Sequence, residues 1–116
     1  MADQKYDLED RTYYFARDCR LLVKKLKMDV TNIEGSKQLV RSSGSVGANY
    51  IEANESLSKK DFLYRIKVCR KEAKESKYWL KLLKAMNKNN QNNIIELQNE
   101  ADELKRIFSS ILNNSK

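Results

Sequence analysis

The segment that decides the fold runs from Ser58 to Lys88 and has the sequence SKKDFLYRIKVCRKEAKESKYWLKLLKAMNK. Apolar and small residues recur within it in steps of four and three, the spacing that keeps one face of an α-helix against a partner helix. The members of this seam are Phe62, Ile66, Cys69, Ala73, Ser76, Leu80 and Leu83. The segment is therefore predicted to form one long helix with its seam in a helical core.

A second repeat, one residue further along, consists entirely of cations. At about 100° per residue it forms a stripe about 100° round the helix from the seam. The segment has 11 basic residues against three acidic ones, whereas the rest of the chain has 12 basic and 13 acidic. The positive charge is thus concentrated here, and we predict that the stripe binds nucleic acid through its phosphates. The residues of the stripe are Lys67, Arg70, Lys74, Lys77, Lys81, Lys84 and Lys88.

Composition favours an all-α fold. Proline is absent and glycine occurs three times in 116 residues, which argues against a strand-rich fold with many turns. The length suits a single domain spanning residues 1–116, with flexible ends expected at 1–7 and 113–116. No apolar run approaches the roughly 20 residues that span a bilayer, and the polar start does not resemble a signal peptide. We expect a cytoplasmic protein that does not enter a membrane.

The chain has no histidine and two cysteines, Cys19 and Cys69. Because most hydrolytic and metal chemistry in helical bundles uses imidazole, we expect no enzymatic activity, no metal and no cofactor. The remaining candidates for a metal site are four glutamates that could lie near one another, Glu52, Glu55, Glu72 and Glu75. Ion pairs with arginines explain these carboxylates more simply. Both cysteines fall on seam positions, which predicts buried free thiols; a disulfide or redox pair is the alternative.

Three further segments repeat the spacing of four and three, which predicts four helices at about 8–28, 31–56, 58–88 and 92–113. Short connections predict an antiparallel up-down-up-down four-helix bundle. The second helix is predicted to begin with a capping box at Thr31 and Glu34, and the third with Ser58 as its N-cap. Within the second helix, the run of serine and glycine from Ser42 to Gly47 leaves a loop as an open alternative, since each helical glycine costs about 1 kcal/mol relative to alanine.

Pairing the second and third helices as a hairpin predicts which polar residues meet. Positions whose numbers sum to 115 or 116 place Val46 beside Cys69 and Arg41 near Glu75. The same register places Glu52 near Arg65 at the edge of the hairpin. We interpret the polar residues along this hairpin as structural. They are Arg41, Asn49, Glu52, Arg65, Glu72 and Glu75.

Two apolar surfaces are candidates for helix packing or for an oligomer interface. One is a stripe on the second helix formed by Val40, Gly44, Gly47 and Ile51, whose small members permit another backbone to approach closely. The other is formed by Trp79, Leu82 and Met86, which widen the apolar surface of the third helix beyond its seam and so call for a second partner.

Two blocks of sequence resemble a known family. RSSGSVGANYIEA at 41–53 and KDFLYRIKVCRKEAKESKYW at 60–79 are similar to the four-helix-bundle proteins encoded within intervening sequences of bacterial 23S ribosomal RNA genes. The resemblance extends over nearly the whole chain and implies an up-down bundle that assembles into a homopentameric ring, without a known enzymatic activity. A more distant relative is the basic pentameric accessory protein of diversity-generating retroelements, which partners a reverse transcriptase and binds nucleic acid.

Two functional hypotheses follow. The first is a non-enzymatic, oligomeric protein that binds the phosphate backbone of RNA or DNA through the cationic stripe, with little sequence specificity. The alternative explanation of the stripe is a solvated lysine face that only keeps the bundle soluble. The second is an assembly or adaptor protein that binds another protein, for example a retroelement reverse transcriptase, through an apolar helix edge.

Overall fold

The computed structural model describes residues 7–115 and consists of four α-helices. Helix α1 spans Leu8–Val23, α2 spans Val30–Asn54, α3 spans Lys59–Met86 and α4 spans Gln91–Asn114, with a short 3₁₀ turn at Lys88–Asn90 before α4. The predicted all-α, up-down-up-down four-helix bundle is confirmed. Residues 1–6 and 116, which belong to the ends predicted to be flexible, lie outside the described residues, whereas Asn113 and Asn114 are part of α4.

The predicted end of α1 at residue 28 is wrong, because α1 ends at Val23. The next residues tighten into bonds of the 3₁₀ type, in which the Lys25 and Leu26 N–H groups donate to carbonyls three residues back at 2.9 and 3.2 Å. This turn places Leu26 in the core, while Met28 is left exposed.

The start of α2 also differs from the prediction. The N-cap is Asp29, whose Oδ1 accepts from the Asn32 N–H at 2.9 Å and from the Thr31 hydroxyl at 3.1 Å. The predicted capping box at Thr31 and Glu34 is therefore wrong, since a carboxylate two residues earlier already satisfies the free N–H and suits the positive end of the helix dipole. Ser58 is the N-cap of α3, as predicted, and its hydroxyl oxygen accepts a hydrogen bond from the Asp61 N–H at 3.1 Å.

The core is one continuous cluster along the bundle axis. Helix α3 packs extensively on α2 and on α4, whereas α1 packs on α2 and more sparsely on α4. Helices α1 and α3 therefore lie at opposite corners of the bundle. The largest fully buried side chains include Phe15, Phe108, Leu22, Leu39, Ile66, Leu80, Leu83, Ile94 and Leu104.

Both cysteines are buried free thiols, one on α1 and one on α3, so the disulfide alternative is wrong. Burial raises the pKa of Cys19 to about 12 and the pKa of Cys69 to about 12. Cys69 Sγ donates to the Val46 carbonyl at 3.4 Å, the contact that the predicted hairpin register requires. Both residues serve as small apolar residues of the core, as predicted.

The serine and glycine run from Ser42 to Gly47 is helical throughout, so the loop alternative is wrong. Ser42 and Ser43 are buried, and the Ser42 hydroxyl shares a hydrogen bond of 2.8 Å with the Ser76 hydroxyl of α3. The small side chains are compatible with a helix because neighbouring helices approach closely on both flanks of α2. Tertiary packing thus offsets the low helix propensity of glycine and serine.

A pair of amides connects the ends of α2 and α3. Asn32 Nδ2 donates to Asn87 Oδ1 at 2.9 Å, and Asn87 Nδ2 donates back to Asn32 Oδ1 at 2.7 Å. Asn32 also donates to the Lys27 carbonyl at 2.8 Å, so three segments of chain are joined at this end of the bundle. None of the helices within residues 7–115 is both long enough and apolar enough to cross a membrane.

Candidate nucleic-acid interface

Six of the seven predicted cations lie on α3 and form two rows. Lys67, Lys74 and Lys81 are exposed, whereas Arg70, Lys77 and Lys84 are half-buried on the side of α3 that borders α4. The division follows from helix geometry, because residues three apart drift by about 60° round the axis. Lys88 is exposed but lies in the 3₁₀ turn beyond the end of α3, so its predicted place in the helix is wrong.

Lys77 is engaged within the bundle. Its Nζ donates to Asp102 Oδ1 of α4 at 2.8 Å, and Asp102 also pairs with Lys105 at 3.4 Å and Arg106 at 2.7 Å. The hydrogen bond from Lys77 is the main reason that the pKa of Asp102 lies below its usual value, with a further contribution from the charge of Arg106. The prediction of Lys77 as a free phosphate contact is therefore corrected to a structural ion pair.

The cluster around Asp102 nevertheless adds to the positive surface. Three cations share a single carboxylate, although Arg106 also lies 3.8 Å from Glu103. Lys105 and Arg106 of α4 were not among the predicted site residues, since their proximity to α3 depends on tertiary packing. The α3 and α4 border is thus positive even where one of its cations is paired.

The six other cations of the stripe make no ion pair with any residue between Asp7 and Ser115. Arg41, by contrast, is bound by two carboxylates across the α2 and α3 hairpin. Cations without an ion-pair partner are available to contact a polyanion. The exposed row of Lys67, Lys74 and Lys81 is therefore accessible, as predicted.

The structure reveals an exposed row that the sequence analysis did not single out. Its spacing is again four and three, and it lies on the opposite side of α3 from the seam. We call it the outer face of α3. Its seven members are Lys60, Tyr64, Lys67, Lys71, Lys74, Tyr78 and Lys81, all of them exposed. Three predicted lysines belong to it, and the repeat in the sequence was the signal that could have identified the other four.

No carboxylate lies on the outer face. The acidic residues of α3 lie beside it: Asp61 is in the first turn of the helix, and Glu72 and Glu75 are on the α2 side, where they face Arg41 at 3.4 and 2.9 Å. Glu72 is buried, so this ion-pair group is structural, as predicted. Charge is thereby separated across α3, with paired acids on one flank and unpaired lysines on the other.

The predicted contact between Glu52 and Arg65 is wrong. Arg65 Nη1 donates instead to Asn49 Oδ1 at 2.9 Å. Asn49 lies on the flank of α2 that faces α3, whereas Glu52 lies on its exposed side. The amide therefore reaches the guanidinium and the longer carboxylate does not.

Val40, Gly44 and Gly47 of the predicted stripe face α1 within the chain, whereas Ile51 is 48% exposed. A Cβ at position 47 would lie 3.0 Å from Thr12 Oγ1, and one at position 44 would lie 3.1 Å from Arg20 Nη2. The absence of a side chain at these positions lets α1 approach α2 closely. Of the two roles predicted for the stripe, helix packing is the one observed.

Trp79, Leu82 and Met86 line an apolar groove of about 390 Å³ between α2 and α3. Leu82 is 41% and Met86 54% exposed. The indole Nε1 of Trp79 is buried and has no hydrogen-bond partner among the described residues. Buried donors are normally paired, so Trp79 Nε1 is an exception among the buried side-chain polar atoms of residues 7–115. Thr31, Glu34, Gly35 and Gln38 form the α2 wall of the groove.

No group of three histidine, cysteine, aspartate or glutamate residues within 7–115 is arranged to hold a metal ion. Glu55 of the predicted carboxylate set is exposed, and Glu72 and Glu75 are occupied by Arg41. The described carboxylates are thus surface or ion-pair residues.

The fold and the unpaired cations of α3 define a basic, antiparallel four-helix bundle. The chain belongs to the 23S rRNA-intervening sequence protein family, whose profile matches residues 4–110. It is similar to a crystal structure from Bacteroides thetaiotaomicron described as a protein with unknown function from the S23 ribosomal protein family. The two are 32% identical, the match covers 90% of this chain and 96% of the other, and the TM-score is 0.77. No curated protein matches the chain.

Proposed function

We propose that this protein is a non-enzymatic, oligomeric nucleic-acid-binding protein of the cytoplasm that contacts the phosphate backbone through the exposed lysines of α3. The observation that carries the proposal is the outer face of α3, where five lysines make no ion pair with any residue from 7 to 115 and no carboxylate interrupts them. Lysine binds phosphate as a point charge without reading bases. The expected binding is therefore strong at low salt and has little sequence specificity.

A solvated lysine face that only maintains solubility is the competing explanation. The two explanations are separated by comparing the triple variant Lys67→Glu, Lys74→Glu and Lys81→Glu with a control that reverses Lys24, Lys25 and Lys27 in the segment that follows α1. All six lysines are exposed, and both variants change the net charge equally. Only the location of the charge differs between them.

The measurement is affinity for duplex DNA and for RNA across a salt series. Each neutralised phosphate contributes a slope of about −0.9 in log K against log salt on duplex DNA, so loss of three contacts should reduce the slope by about 2.7. The control variant should retain the slope of the wild type. An equal reduction in both variants would mean that net charge alone attracts the polyanion, and the α3 site would be abandoned.

A second candidate function is self-assembly through the groove of Trp79, Leu82 and Met86. The exposed apolar side chains of Leu82 and Met86 favour it, because a partner that covers the groove would remove apolar surface from water. We propose a second copy of the chain as the occupant, with a homopentameric ring as the assembly that the family resemblance implies. A protein partner of another kind is the alternative.

Sedimentation equilibrium tests this assembly. The wild type should form an oligomer, and Leu82→Glu should dissociate it because a charge would be buried in an apolar interface. Ile95→Glu on α4, also an exposed apolar residue, is the control and should leave the oligomer intact. A monomeric wild type would exclude this candidate, and an oligomer unaffected by Leu82→Glu would place the interface elsewhere.

A further inference from the structure

The outer face of α3 has an internal symmetry that phosphate binding alone does not require. Its sequence of side chains is lysine, tyrosine, three lysines, tyrosine, lysine, with Lys71 at the centre. Tyr64 and Tyr78 are fourteen residues apart, which places them about 21 Å from each other along the helix. Lys67, Lys71 and Lys74 lie between the two rings on the same face.

Both rings are exposed and held in place by a neighbour. Tyr64 is 60% and Tyr78 54% exposed. The Arg65 guanidinium lies 5.7 Å from the centre of the Tyr64 ring, and Trp79 packs against Tyr78 in a T-shaped pair with centroids 5.0 Å apart. Cation–π and edge-to-face contacts of this kind restrict a ring without covering it. The rings contribute little buried surface to the fold and remain available to a ligand.

We propose that the outer face of α3 binds single-stranded nucleic acid, with Tyr64 and Tyr78 stacking on unpaired bases while the lysines between them hold the intervening phosphates. This inference rests on the proposed function and specifies its ligand. Aromatic rings alternating with cations are the arrangement by which proteins bind single strands without reading their sequence. The spacing of the two rings suits a short extended segment, comparable with the smallest single-strand sites of about four nucleotides.

Duplex nucleic acid fits this face less well for a geometric reason. Within a duplex the flat faces of the bases are stacked on one another, so a protein reaches only base edges in the grooves and the phosphates. The lysines would still contact a duplex, but the two tyrosines would have no base to stack on. A contribution from the rings should therefore appear only with unpaired strands.

The experiment separates charge from stacking through the salt dependence of binding. Affinity of a labelled oligouridylate and of an RNA duplex with the same number of phosphates is measured across a salt series for the wild type and two double variants. The test variant is Tyr64→Leu with Tyr78→Leu, and the matched control is Tyr64→Phe with Tyr78→Phe, which keeps the rings. Because both tyrosines are exposed, the variants should fold, as checked by circular dichroism.

The leucine variant should lose at least about 30-fold in affinity for oligouridylate, which corresponds to the lower end of the stacking contribution per base, taken for two bases. Its salt slope should equal that of the wild type, since no cation has been removed. The phenylalanine variant should bind the single strand as the wild type does, and neither variant should change duplex binding. An oligodeoxyuridylate arm shows whether the strand's sugar is distinguished, and equal affinity is expected because stacking involves only the base.

Each possible failure has a distinct meaning. Salt-dependent binding that is unaffected by the leucine substitutions overturns the stacking inference and leaves the phosphate proposal in place. A phenylalanine variant that loses as much affinity as the leucine variant assigns the effect to the hydroxyl groups and also overturns stacking. Absence of salt-dependent binding to either ligand refutes the proposed function itself.

Discussion

The close approach of α1 and α2 makes opposite predictions for two neighbouring glycines. Alanine at position 44 or 47 should gain about 1 kcal/mol in helix propensity. At position 44 the added Cβ meets Arg20 Nη2 at 3.1 Å, the far end of a flexible and exposed side chain that can move. Gly44→Ala is therefore expected to stabilise the bundle by about 0.5–1 kcal/mol.

The same substitution at position 47 has no room. The Cβ would lie 3.0 Å from Thr12 Oγ1 and 3.3 Å from Thr12 Cβ. Thr12 is 1% exposed, and its hydroxyl donates to the Glu9 carbonyl at 2.9 Å, so it cannot turn away. Overpacking of a filled core costs about 1–3 kcal/mol, which offsets the gain in propensity. We expect Gly47→Ala to change the free energy of unfolding by between about 0 and 2 kcal/mol in the destabilising direction.

Urea denaturation followed by circular dichroism measures the difference. The two variants should differ by about 0.5–3 kcal/mol, which at an m value of about 2 kcal/mol/M separates their midpoints by about 0.3–1.5 M. Combining Gly47→Ala with Thr12→Ala should recover part of the loss, with a coupling energy of about 1 kcal/mol. If Gly47→Ala stabilises the protein as much as Gly44→Ala, the reasoning from close packing is refuted.

Three further predictions concern polar and thiol groups. Arg41→Ala should destabilise the bundle by about 1–2 kcal/mol in urea titrations, because Glu72 is buried and would lose its partner. The control is Lys37→Ala, which removes an exposed ion pair and should cost less than about 0.5 kcal/mol. Asn32→Ala should cost about 1–2 kcal/mol by the same assay, and an unchanged midpoint would show that its amide bonds are dispensable. Cys19 and Cys69, whose pKa values burial raises from 9.0 to about 12, should resist alkylation until the protein unfolds. The contribution of the buried thiols to stability is present below pH 9 and is lost as pH rises toward 12, because the thiols of the unfolded chain ionise first. The urea midpoint of the wild type should therefore fall across this range relative to that of a double alanine variant. An unchanged difference between the two midpoints would contradict this prediction.

The four helices and the hairpin register were predictable because they depend on local periodicity. Seam residues such as Ile66 and Leu80 recur at a spacing that only a helix can bury on one face, and that spacing fixed which residues of α2 face α3. The pairing of Arg41 with Glu75 at 2.9 Å followed from arithmetic on the register. Helix ends were less predictable, since Asp29 and Thr31 are both good N-caps and the choice between them depends on where the chain leaves α1.

The candidate site was predictable only in part. The charge of α3 is a property of the sequence, but the role of each cation is set by its neighbours in space. Lys77 lies beside Asp102, which is 25 residues away on a helix whose rotation the sequence pattern does not specify. Lys71 and Tyr64 were missed because the cationic stripe was followed in one phase only, although the outer face has the same spacing.

The sequence by itself determined that this protein is a bundle of four amphipathic helices with its positive charge on the third. Periodicity and composition act within a few turns of one helix, so they are fully encoded in neighbouring residues. Tertiary structure decided which lysines remain unpaired, where α1 meets the glycines of α2, and that the face of α3 carrying the two tyrosines is the one left exposed. Those outcomes depend on how each helix is rotated against its neighbours, and that rotation is set by packing between residues far apart in the chain.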